Sequence, residues 1–218
     1  MIAIDKDYRR QMEGIYHGLL QRAALGEYDE NALPSYTHSN RLMAWLFWKR
    51  IDIALCFMGD ISGKTVLDFG CGGAVTFKYL NQKRCRIVGC DENILLAQQV
   101  CRALDINAEL YGDLSDIDGR KFDYILALDV LEHIENSAAL LSKFKYMMQP
   151  GSKIILSGPT ENFWYKLGRN LAGFSGHYHV KNIHQIEREF SAVGFKAEKI
   201  RTLYYPCPLF RVSLWGMT

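Results

Sequence analysis

Two clusters of residues in this 218-residue chain have the types and spacing that chemistry needs. The first is Asp68-Phe69-Gly70-Cys71-Gly72, where an acid and two glycines end a β-branched run and precede a helical segment. Glycine lets the chain turn sharply and lets backbone come close to a ligand, and a following helix start offers unpaired N–H groups. A second acid, Asp91, ends the next apolar run about 20 residues after the first glycine. That is the distance at which a carboxylate meets the two hydroxyls of an adenosine ribose. The other cluster is Asp129, Glu132 and His133, spaced i, i+3 and i+4, which share one face of a helix. It reads in two ways. Asp129 caps a helix beginning at Val130 and Glu132 reaches back to its start. Alternatively, the two carboxylates and the imidazole hold a divalent metal or supply a general base.

The glycine cluster narrows its own ligand. A dinucleotide fingerprint needs a third small residue, and Gly70, Gly72 and Val75 leave that position unfilled. Asp68, two residues before the first glycine, stands where a pyrophosphate would approach. A carboxylate repels a diphosphate and suits a cationic or zwitterionic ligand. S-adenosylmethionine has a ribose, an ammonium group and a sulfonium, and no phosphate, so this cofactor is favoured over a nicotinamide.

The elements that must position these residues alternate along most of the chain. Thr65–Phe69, Arg86–Cys90, Ala108–Tyr111, Tyr124–Leu128 and Lys153–Ser157 read as strands. Ala74–Asn81, Asn93–Leu104, Val130–Met148 and Ile183–Val193 read as helices. Such alternation implies βαβ units and a parallel sheet covered on both faces. Ala197–Tyr205 and Leu209–Trp215, joined by a short Pro-containing link, should pair antiparallel. Upstream, Asp5–Leu25 and Ser39–Met58 read as helices. The expectation is an α/β fold: a Rossmann-like seven-stranded mixed sheet, last strand antiparallel, with an N-terminal helical cap at 1–60 and a core at 61–218. Residues 160–181, aromatic and punctuated by glycine, look like an acceptor-site insertion. With Trp45, Phe47, Trp48 and Phe57 of the cap they suggest an apolar, aromatic-lined pocket.

Composition sets the outer bounds. Hydrophobic residues make up 49% of the chain and charged residues 23%, as in an ordinary globular protein. A formal charge of +2 excludes a polybasic nucleic-acid coat and makes a nucleic-acid partner an unfavoured expectation. The apolar run Leu42–Trp48 is far short of the ~20 residues of a membrane span. Charges spread through residues 1–30 do not resemble a signal peptide, so a cytoplasmic location is expected. The six cysteines form no C-x-x-C pair.

Taken together, Val66-Leu67-Asp68-Phe69-Gly70-Cys71-Gly72-Gly73 resembles the first motif of class I S-adenosylmethionine-dependent methyltransferases, and in particular the ubiquinone/menaquinone-type small-molecule group. Val88-Gly89-Cys90-Asp91-Glu92-Asn93, Tyr111-Gly112-Asp113-Leu114, Phe122–His133, Met148–Ser152 and Val193-Gly194-Phe195 are similar to later blocks of that family, in order. The resemblance implies cofactor contacts at Asp68, Phe69, Gly70, Cys71 and Gly72, at Asp91 and Glu92 for the ribose, at Asp113 and Leu114 for the adenine, and at Leu128. It also implies methyl transfer to an oxygen or nitrogen of an apolar, aromatic or lipid-like small molecule, with His133, His177 and His179 as candidate bases. Asp129-x-x-Glu132-His133 resembles the E-x-x-E-H motif of metal-dependent relatives acting on RNA riboses and ubiquinone precursors, to which His177 would add a ligand. The shorter Asp129 favours capping over a metal. A non-catalytic S-adenosylmethionine-binding protein is the remaining alternative. Ala74 replaces a glycine usual in the first motif, with a slightly tighter pocket as the expected result.

Overall fold

A computed structural model describes residues 3–22, 36–37, 40–135, 137–162, 180–203 and 208–217. Its centre is a seven-stranded sheet of order β3-β2-β1-β4-β5-β7-β6. The strands are β1 (Thr65–Phe69), β2 (Arg86–Cys90), β3 (Ala108–Tyr111), β4 (Phe122–Leu128), β5 (Met148–Pro159), β6 (Phe195–Leu203) and β7 (Phe210–Met217). The first five pair in parallel, and β7 lies antiparallel to both β5 and β6. The expected seven-stranded mixed sheet, with its last strand antiparallel, is therefore the observed one.

The described residues form six α-helices: α1 (Lys6–Arg22), α2 (Arg41–Met58), α3 (Phe77–Gln82), α4 (Leu95–Leu104), α5 (Ser137–Met147) and α6 (Ile183–Ala192). The first four share one buried cluster with Val66, Leu126, Ile155 and Leu214 on one side of the sheet. On the other side α5 and α6 bury Phe144, Met147 and Phe190 against Leu67, Ile125, Leu156 and Trp215. Parallel strands covered on both faces must be apolar throughout, and Val66, Leu67, Ile125, Leu126, Ile154 and Ile155 are all fully buried.

Several boundaries differ from the sequence reading, each for a local reason. Asn40 rather than Ser39 starts α2, its side chain accepting the Leu42 and Met43 N–H groups. Residues 74–76 are turn, so α3 begins three residues late. The single helix expected over Val130–Met148 is broken. A 3-10 turn at Leu131–His133 ends in extended backbone at Ile134, and α5 starts only at Ser137. Most of the expected insertion, at 163–179, lies outside the described residues, as do the ends of the first helix and of the sixth strand beyond 203.

The helix α1 does more than cover apolar surface. The Tyr8 hydroxyl donates to Val75 O at 2.6 Å and accepts the Tyr79 N–H at 3.3 Å. The Tyr16 hydroxyl donates to Gly73 O at 2.8 Å. Both rings are fully buried, so these bonds satisfy main-chain groups of the glycine turn that water does not reach. Tyr8→Phe keeps the ring and strands one carbonyl and one N–H, so stability should fall by about 1–3 kcal/mol. An unchanged urea midpoint would show that α1 does not brace the turn.

Candidate active site

In open α/β sheets ligands bind beyond the carboxyl ends of the strands, where the order of connection reverses. Here that point lies between β1 and β4, because the chain runs outward from β1 through β2 and β3 and then returns to β4. The turn after β1 is shaped for close approach. Gly70 has φ +75°, and a Cβ added to it would lie 2.6 Å from the Val130 side chain. Gly72 has φ +43°, and its N–H donates to Asp91 Oδ2 at 2.8 Å. That bond ties the glycine turn to the end of β2. Asp91 Oδ1 accepts the Asn93 N–H at 3.0 Å. A carboxylate has about four lone-pair positions, so two remain, and Asp91 is only half-buried. These residues fit a ribose diol.

Asp68 stands behind the turn, 3% exposed, accepting a 2.5 Å hydrogen bond from Thr76 Oγ1. Burial pushes its pKa up to about 7, against the pull of the Thr76 bond and with the push of the Asp91 charge. A cation beside it would be matched by the ionised form. The other expected contacts take varied positions. Phe69 turns its ring onto Phe144 on the α5 side, and Cys71 and Leu114 are buried in the core. Glu92 is exposed, and Leu128 is half-buried. Asp113 is fully exposed and caps a 3-10 turn, accepting from both the Ser115 N–H and Oγ at 2.7 Å; those two bonds hold its pKa below the usual value. Ala74 corrects one expectation. It is fully buried in the α1–α4 core, so its methyl does not tighten a pocket. Its cost is backbone strain at φ +52°, a left-handed conformation in which glycine would sit freely.

The second cluster is rearranged by a contact far away in sequence. Asp129 does not cap. It has φ +54° and forms an ion pair with Arg50 of α2, while the cap position before the 3-10 turn is Val130, without a side-chain bond. Glu132 and His133 consequently do not share a face: Glu132 is 1% exposed and His133 is exposed. Burial first, and the Asp129 charge second, push the Glu132 pKa well above the carboxylate range. Among the described residues no group of three His, Cys, Asp or Glu side chains is placed to hold a metal, and His177 and His179 lie outside them.

Arg50 escaped the sequence reading. It is 2% exposed, with its guanidinium 4.8 Å from the ring centroids of both Phe47 and Phe210. Burial opposes its charge, but Asp129, a hydrogen bond to Tyr36 and Glu132 together raise its pKa above the usual arginine value. A signal was present. Arg50 lies four residues after Leu46 and three before Ile53, on the buried stripe of an apolar helix where a cation needs a partner. Thr76, Ser157 and the two bracing tyrosines, by contrast, carried no motif.

With this geometry in place, comparison with known proteins gives a consistent result. The sequence matches the family described as "Methyltransferase domain" over residues 8–200, and the chain belongs to that family. A ubiquinone biosynthesis O-methyltransferase of Alkalilimnicola ehrlichii is 28% identical over 121 residues, 52% of this chain and 49% of that protein. One from Idiomarina loihiensis is 27% identical over 107 residues, 46% of this chain and 44% of that protein. The chain thus spans about half the length of the curated relatives it matches. Among solved structures, a Pyrococcus horikoshii protein aligns with TM-score 0.68 and 17% identity over 85% of this chain and 96% of its own. Magnesium protoporphyrin IX methyltransferase from Synechocystis, with bound SAH, aligns with TM-score 0.60 and 18% identity over 87% of this chain and 100% of its own. The fold is that of these proteins.

The titration of Asp68 gives a testable consequence. Its folded pKa of about 7 lies above the usual 3.8, so the folded chain keeps a proton that the unfolded chain releases. This contribution to stability is complete below the unfolded pKa and is lost as pH rises through the folded one. The Asp68 contribution to the unfolding free energy should therefore decline between pH 4 and 7 and then level off. Asp68→Asn should flatten the slope, leaving the part due to Glu132, whose shift has the same sign. Parallel wild-type and Asp68→Asn urea profiles would contradict the assignment.

Proposed function

We infer that this chain binds S-adenosylmethionine across the ends of β1 and β2 and transfers its methyl group to an oxygen or nitrogen of an apolar, aromatic or lipid-like small molecule. The observation that carries the reading is the hydrogen bond from Gly72 N–H to Asp91 Oδ2, which joins a turn too tight for side chains to a carboxylate with free lone pairs. A turn with the acid Asp68 behind it suits a ligand with an ammonium and a sulfonium better than one with a diphosphate. The names of the ubiquinone-biosynthesis relatives favour a small molecule and an oxygen acceptor.

The cofactor supplies an electrophilic methyl group on sulfur. The protein's part is to hold and orient. Asp91 fixes the ribose, the Gly70–Gly72 main chain admits the methionine end, and Asp68 balances the ammonium charge. Exposed Asp113 stands at the end of β3 for the adenine. Bringing the acceptor into line with the methyl carbon is the largest contribution such a site makes. A base takes the acceptor's proton; His133, His177 and His179 remain the candidates. None of the helices among the described residues is long and apolar enough to cross a membrane, and we place the protein in the cytoplasm.

Calorimetry tests the cofactor directly. S-adenosylmethionine and S-adenosylhomocysteine should bind in the micromolar range, about −8 kcal/mol, while NAD should give no heat. Asp91→Ala removes the ribose acceptors and should weaken binding by about 1.5–3 kcal/mol. NAD binding with no response to either sulfur ligand would overturn the reading.

A further inference from the structure

Among the described residues the buried polar atoms without hydrogen-bond partners include Arg50 Nε and Ser157 Oγ, on the α2 side of the sheet at the ends of β4 and β5, and Glu132 Oε2 just after β4. Arg50 Nε–H has no hydrogen-bond acceptor among the described residues, although Nη2 pairs with Asp129 and the guanidinium lies 4.8 Å from the ring centroids of Phe47 and Phe210, which are themselves packed together at 5.5 Å. Ser157 Oγ, in a residue 2% exposed, also has none. The two belong to one neighbourhood. Ser157 O accepts the Asp129 N–H at 3.0 Å, and Ser157 is registered against Val212. Val212 joins the core beneath α2, as does Phe210 two residues earlier on the same face. Buried polar atoms are paired in the great majority of cases, so two unpaired ones together mark the place of a ligand's polar end.

We propose, resting on the methyltransferase reading above, that Arg50 and Ser157 are specificity-determining residues that hold an uncharged oxygen of a planar methyl acceptor. Arg50 Nε–H donates to that oxygen, and the Ser157 hydroxyl completes its hydrogen bonding. Phe47 and Phe210 supply apolar walls. The position suits an acceptor: Leu128 is half-buried and the Asp129 side chain is 18% exposed, and Val130, which follows them, packs against Gly70 of the cofactor turn. The charge is decided by Asp129. It already neutralises the guanidinium, so a carboxylate entering here would be desolvated beside one cation whose charge is spent. Glu132 is near enough to act on the same charges, and any ionisation of it adds to the repulsion. A hydroxyl or carbonyl oxygen needs only the two hydrogen bonds. The subsite therefore selects neutral hydroxy- or keto-aromatic rings over aromatic acids.

The test uses the full chain loaded with S-adenosylhomocysteine, titrated with 2-naphthol and, separately, with 2-naphthoate, which share one ring system. Naphthol should bind at least about 10-fold more tightly. Ser157→Ala should weaken naphthol by about 5-fold while leaving naphthoate and cofactor affinity in place. Arg50→Lys keeps a charge opposite Asp129 but loses Nε–H, and should lower the naphthol-to-naphthoate ratio likewise. If that variant does not fold, Ser157→Ala decides. Equal or tighter naphthoate binding, no naphthol binding, or an unchanged ratio in the folded variants overturns the proposal. Failure to bind S-adenosylhomocysteine counts against the cofactor reading instead, and the same ratios measured on the cofactor-free chain then judge the subsite.

Discussion

The close contact between Gly70 and Val130 is the constraint on which the site depends. Val130 follows β4, and its side chain fills the space that any Cβ at Gly70 would need. This contact sits at the place where the sheet's order of connection reverses, so it draws the turn after β1 and the turn after β4 together at the mouth of the crevice. Everything else supports that approach. The Tyr8 and Tyr16 hydroxyls hold the glycine turn from behind, and Asp91 holds it from the side. On the other half Arg50 holds Asp129 in a left-handed conformation that aspartate does not adopt freely.

Electrostatics in this part of the molecule follow from burial. Three carboxyl groups lie near the crevice with little water: Asp68, Asp129 and Glu132. One is offset by Arg50, and burial raises the proton affinity of the other two. The interior therefore limits uncompensated charge by pairing one carboxylate and by burial that disfavours the ionised form of the other two. Such perturbed acids cluster at functional sites more often than elsewhere. Asp68 is the one whose state a cationic ligand would change, since an ammonium beside it restores the carboxylate.

What was legible in the sequence was what local pattern controls. The first three strands begin and end where the sequence pattern placed them; Gly, Cys and Asp punctuate them, and the interiors of β1 and β2 are buried on both faces while β3, at the sheet edge, is only partly covered. The antiparallel pairing of the last two strands followed from their short connection. The glycine turn and Asp91 were readable because their spacing is set by one βα unit. What failed was decided over long distances. Asp129-x-x-Glu132-His133 has the local signature of a cap, yet a cation 79 residues upstream (129 − 50) captures the aspartate and breaks the helix before it forms. No local rule reports that. Leu131 and Glu132 then point inward, and the shared face of Glu132 and His133 disappears. Arg50 itself was visible only as a charge on an apolar stripe.

The central claim is that one nucleoside ligand lies across the ends of β1 and β2, over the Gly70–Gly72 turn and against Asp91. Hydrogen–deuterium exchange of the full chain with and without S-adenosylhomocysteine reads that placement peptide by peptide. New protection is expected in the segments around 69–74, 90–93, 112–114 and 128–130, with the central strands already protected in both states. Binding that left these four segments unchanged and protected a different part of the surface would contradict it.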